Sequence, residues 1–206
     1  MTREELLQDL AYARSLAEEG RHAPLLGGAY FVFWGLLNAA AFTAHWAVRA
    51  GRLPHLDGWA FPTIWISYAI VAGVGMALLG ARTRSKPGLT SIGVRAESAM
   101  WMGAALALLA ISVGSIARMV TENDLTAPNA IFGAAFALYG AALFGTAKLS
   151  QQAWLGAYAW LSFAIAGALC LFANQAWAYL GAAAGSLIVL FAPGVLLLRR
   201  EPSNIV

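Results

Sequence analysis

Arg82-Thr-Arg-Ser-Lys-Pro-Gly-Leu-Thr-Ser-Ile-Gly-Val-Arg95 is a short basic stretch between two long apolar runs, and its reading decides the fold. Four cations in so short a connection follow the bias that keeps Lys and Arg on the cytoplasmic side of a membrane during insertion. Acidic residues contribute little to that bias. The stretch therefore reads as a cytoplasmic loop joining two transmembrane helices. Its side fixes the side of every other connection, because each span carries the chain across the bilayer once.

Outward from this loop the chain is apolar almost throughout. Of 206 residues, 60% are hydrophobic and 11% charged, and the mean hydropathy is +0.67. Soluble domains carry about 25% charged residues, so an ordinary soluble domain is excluded. A span takes about 20 apolar residues. The apolar runs place six spans, at 25–48, 59–81, 96–120, 128–149, 153–173 and 177–198. The expected fold is an all-α membrane protein of six transmembrane helices, read as three helical hairpins in one domain over 23–206. The first span is too long for the apolar region of a cleavable signal and is expected to remain as an anchor.

Cation counting tests this layout. Arg3, Arg14, Arg21, the four of the quoted loop, Lys148, Arg199 and Arg200 fall on one side; Arg49, Arg52 and Arg118 fall on the other. Ten against three puts both termini in the cytoplasm. Trp46, Trp59, Trp154 and Trp177 sit at expected interfaces, where amphipathic rings are enriched. Abundant Ala, Gly and Arg with little Lys fit a bacterial chain, hence an inner membrane. The pI near 9.3 does not imply nucleic acid, because the cations flank spans instead of forming a stripe.

Residues 1–22 are expected to form an amphipathic cytoplasmic helix. Thr2-Arg-Glu-Glu5 has the form of a capping box, Leu6, Leu10, Ala13 and Ala17 make a narrow apolar stripe, and Gly20 supplies a stop. Its polar face is acidic, with Glu4, Glu5, Asp9, Glu18 and Glu19 against Arg3 and Arg14. That sign disfavours anionic headgroups and points to a protein surface. The candidate partner-binding residues are Glu5, Asp9 and Glu18 on the helix, and Arg82, Arg84, Lys86 and Arg95 on the loop they complement.

Small residues recur every four positions on several spans, including Gly35, Ala39, Thr43 and Ala47. Gly73, Gly133, Gly145, Gly181 and Gly185 are the expected packing glycines, since membrane helices associate by close backbone approach. Gly181-Ala-Ala-Ala-Gly185 is the piece best suited to a seam between copies. A weak internal repeat also shows: Pro62-Thr-Ile-Trp65 and Pro128-Asn-Ala-Ile-Phe132 open the second and fourth spans, while Gly28-Ala-Tyr30 and Gly156-Ala-Tyr158 open the first and fifth.

No ionisable group falls near an expected span centre, which disfavours proton-coupled and voltage-driven transport. Glu97, His45 and Arg118 lie near span ends, within snorkelling reach of an interface. His45, His55 and Asp57 carry zinc-type ligand atoms at one face, but their spacing matches no metal motif, so no metal or other cofactor is assigned. Cys170 has no disulfide partner in this chain. Neither a nucleophile elbow nor a zincin or P-loop motif occurs, and the in-span serines have no nearby histidine. The polar set Asn38, Ser162, Asn174 and Gln175, with Cys170, reads either as the lining of a wet cavity or as an interhelical hydrogen-bond patch. Two functions follow as expectations. One is a non-enzymatic membrane protein acting through protein partners or regulation. The other is a small homo-oligomeric channel or carrier for a neutral or hydrophobic solute.

Overall fold

The computed structural model describes residues 5–12, 27–53, 59–84 and 92–200. Of these, 88% are helical and none lies in a strand. Residues 5–12 form α1; α2 is Gly28–Arg49, α3 Ala60–Thr83, α4 Ile92–Thr121, α5 Ala130–Leu149, α6 Ala153–Leu171 and α7 Ala178–Arg200. The helices α2 to α7 are each long and apolar enough to cross a membrane, so this is an all-α multi-pass membrane protein.

Three boundaries differ from the sequence expectation. The fourth helix begins at Ile92, so Val94 and Arg95 of the basic loop are helical. Its 30 residues rise about 45 Å, more than the ~30 Å hydrocarbon core, so its end extends into the interface. The sixth helix stops at Leu171 and leaves Asn174 and Gln175 in the connection to α7. The seventh changes from α to π geometry over Leu187–Phe191. Pro193 has no N–H to bond the carbonyl one turn back, and a π turn takes up the resulting slack.

Consecutive helices touch as hairpins, α2 with α3, α4 with α5 and α6 with α7, but the broadest packing runs between hairpins, α5 on α6 and α2 on α7. Glycines make the second of these possible. A Cβ at Gly35 would lie 2.5 Å from the Phe191 nitrogen, and one at Gly194 would lie 2.7 Å from the Val32 nitrogen. The backbones of α2 and α7 thus meet at the π segment. The core gathers around this seam, from Phe31 and Phe42 on α2, Phe136 and Leu143 on α5, Leu155 on α6, and Tyr179 and Val189 on α7. The third and fourth helices are peripheral and turn Ile66, Ile70 and Leu78, and Leu106, Leu109 and Val113, outward. Such faces suit lipid, which solvates them as well as a protein core would.

The second helix ends on Gly51, whose φ of 66° is the left-handed conformation a helix C-terminus needs. The N–H groups of Gly51 and Arg52 return to the carbonyls of Val48 and Ala47, a Schellman turn that satisfies both acceptors.

Candidate functional site

On α2, Asn38, Phe42, His45 and Arg49 follow i, i+4, i+7 and i+11 and so share one face. Phe61, Trp65 and Tyr68 do the same on α3, and Asn129, Phe132, Phe136 and Tyr139 along the start of α5. These stripes meet inside the bundle, with Tyr179 of α7 closing the end that carries Arg49.

At mid-depth Asn38 is 3% exposed. Its Oδ1 accepts from the Tyr68 hydroxyl at 2.6 Å, and its Nδ2 donates to the Tyr139 hydroxyl at 3.3 Å. One amide therefore ties three helices, a strong arrangement where no water competes for either partner. Two turns further out, Trp65 Nε1 donates to His45 Nδ1 at 3.1 Å. A ring nitrogen that accepts carries no proton, so the imidazole is the neutral tautomer with its proton on Nε2. The same ring stacks on Tyr179 at 4.1 Å and 19°. Tyr179 donates to Asn129 Oδ1 at 2.6 Å, Asn129 donates to Asn174 Oδ1 at 3.0 Å, and Arg49 donates to the Asn174 carbonyl at 3.2 Å. The interior thus carries a connected polar and aromatic layer from mid-depth to the helix ends that carry Arg49 and Asn174.

A second polar centre lies at the other end. Glu97 of α4 is 6% exposed, and among the described residues its Oε1 has no hydrogen-bond partner, nor do Trp101 Nε1 and Thr146 Oγ1. A Cβ on Gly27 would lie 3.0 Å from that oxygen, so the carboxyl group sits at the N-terminus of α2. Snorkelling is therefore the wrong account of Glu97: its short side chain turns inward, into space that Gly27 leaves by having none.

The remaining sequence candidates fall as follows. Ser162 is fully buried and donates to the Phe136 carbonyl at 2.7 Å, an interhelical bond. Gln175 and Cys170 are exposed, and Asn174 lies past the end of α6, bonded to Asn129. Thus Asn38 and Ser162 make separate interhelical hydrogen bonds, and Asn174 lies beyond the end of α6. A Cβ at Gly133, Gly145 or Gly185 would meet Cys170, Met100 or Phe136, whereas one at Gly73 or Gly181 would meet nothing within 4 Å. Glu5, Asp9, Arg84 and Arg95 are exposed and Arg82 is helical; Glu18, Lys86, His55 and Asp57 lie outside the described residues. Among the described residues no three His, Cys, Asp or Glu side chains gather as metal ligands.

The aromatic layer was missed from sequence because only Trp46, Trp59, Trp154 and Trp177 were given a place, at interfaces, and the in-span tyrosines were given none. The signal lay in the spacing of Asn38, His45 and Arg49 on an otherwise small and apolar helix. The two proline-led span starts also converge, since Trp65 and Phe132 stack at 6.0 Å and 22°.

Comparison of the chain with known protein families, with curated proteins and with solved structures finds no match.

Proposed function

We propose that this is a non-enzymatic protein of the bacterial inner membrane, with both termini cytoplasmic, that acts by holding another protein through its N-terminal helix. One observation carries the reading. In α1, outside the six spans, Leu6, Leu7 and Leu10 are 45%, 57% and 63% exposed. Leucines at i and i+4 on a short helix are the anchors of helix-in-groove recognition. The acidic character of residues 2–20 turns that helix away from anionic lipid and toward a basic protein surface. A photo-crosslinking residue at position 10 is expected to give one discrete adduct in cells, and the same probe at lipid-facing Val113 is expected to give none. Equal patterns at the two positions would overturn the reading.

A second reading, a small homo-oligomeric carrier for a neutral or hydrophobic solute, is supported by the Asn38, Tyr68 and Tyr139 triad at mid-depth. Neutral donors and acceptors suit an uncharged solute, and the open faces at Gly73 and Gly181 leave room for a second copy. Proteoliposome flux that is unchanged by Asn38→Leu would remove this route.

A further inference from the structure

On the outer surface of α5 and α6, at the end that carries Lys148, lies a groove of about 250 Å³. Its floor is made of small residues, Ala147, Ala153 and Gly156, and its walls are the rings of Phe144 and Trp160. A Cβ at Gly156 would meet nothing within 4 Å, so the space is real and faces outward. The rings meet edge to face at 6.1 Å, and Trp160 is 66% exposed. The helix pair that forms the groove is among the most closely packed in the bundle and is joined by only a short turn, which fixes its shape.

One cation stands at the rim. Lys148 Nζ lies 5.4 Å from the centre of the Phe144 ring, and Lys148 makes no ion pair among the described residues. Arg200 lies over Trp154 at the same end, 4.9 Å from its centre. From Ala153 to Trp160 the helix descends roughly 10 Å below this rim. The opening is therefore positive at interface level and purely apolar and aromatic beneath.

We propose that this groove binds one anionic phospholipid, its phosphate on Lys148 and one acyl chain laid along Gly156 against the paired rings of Phe144 and Trp160. Charge complementarity selects the headgroup and the apolar trough selects a molecule with a chain. A free phosphate would use only the rim. Binding in detergent does not depend on which leaflet this end faces, so the site stands apart from the topology proposed above.

The full chain, purified in detergent, is titrated with dioleoyl phosphatidylglycerol or dioleoyl phosphatidylcholine, and retained lipid is read by native mass spectrometry. Phosphatidylglycerol is expected to be retained in preference to phosphatidylcholine. K148Q should weaken that retention roughly fivefold, the worth of one cation near an anionic surface. G156L, which fills open space, should abolish it while the circular-dichroism melt stays unchanged. Glycerol phosphate, with headgroup chemistry but no chain, should not displace the lipid. Equal retention of the two lipids overturns the site, as does wild-type retention by K148Q. Should G156L misfold, W160A replaces it, and undiminished retention by W160A overturns the site as well.

Discussion

Replacing Asn38 with Leu keeps the side-chain volume close to constant and removes both hydrogen bonds of the mid-depth triad. The Tyr68 bond, at 2.6 Å, is the stronger of the two, and the Tyr139 bond, at 3.3 Å, is at the long limit. Interhelical hydrogen bonds in membrane proteins average about 0.6 kcal/mol and reach ~1.7. Assigning the upper figure to the short bond and a fraction of the mean to the long one gives a loss of roughly 2 kcal/mol, about thirtyfold in the folding equilibrium. The assay is reversible unfolding in mixed detergent micelles, run as a cycle with Tyr68→Phe. In the wild-type background Tyr68→Phe should cost about 1.7 kcal/mol, the figure assigned to its bond, and in the Asn38→Leu background almost nothing, because its partner is already gone. If the two substitutions add to within about 0.3 kcal/mol, the bond contributes nothing and the triad is geometry without energy.

Three further outcomes are expected. In a Cys170→Ala background, cysteine at Arg84 should be shielded from an impermeant thiol reagent in intact cells and cysteine at Asn123 should react; the opposite pattern would invert the topology. Gly35→Leu should prevent assembly, because the clash is with the Phe191 backbone and no rotamer relieves it, whereas Gly73→Leu, facing open space, should fold with wild-type yield. The carboxyl group of Asp124 is held below the usual range by the Thr126 hydroxyl first, then by the Thr126 N–H, with Arg118 adding to both. A depressed pKa means that this turn is fully stabilised above the ordinary carboxylate pKa and loses its bonds as pH falls through the lower folded value. Amide-exchange protection at Thr126 should therefore hold from neutral pH into the acid range and fail only below it, while Asp124→Asn should lower protection at neutral pH and abolish its pH dependence.

The number and order of the spans were legible because the bilayer imposes a length, and runs of about 20 apolar residues are hard to misread. Which faces touch was not. In water, an apolar stripe marks the buried side of a helix, but in lipid both sides are apolar, so Ile66 facing lipid and Phe42 in the core look alike in sequence. Glycine spacing told part of this, since Gly133, Gly145 and Gly185 are at contacts while Gly73 and Gly181 face outward. The pairing of α2 with α7, the first and last spans, has no local signal, because it depends on a π segment whose register follows from Pro193.

Within a bilayer, polar side chains carry the information that apolar ones carry in water. A buried Asn, His or Glu has no solvent to return to, so its position identifies the helices that must supply its partners. Asn38 brings together α2, α3 and α5, and His45 adds α7 through its stack on Tyr179. Glu97 lies beside the start of α2, while its own helix, α4, packs on α5. Four spans enter the bundle through Asn38 or His45, α6 enters through Ser162 and the Phe136 carbonyl, and α4 enters by packing on α5. A chain with so few charged groups in its spans is therefore held in register chiefly by three side chains, Asn38, His45 and Ser162, whose removal should be felt between helices before it is felt within any of them.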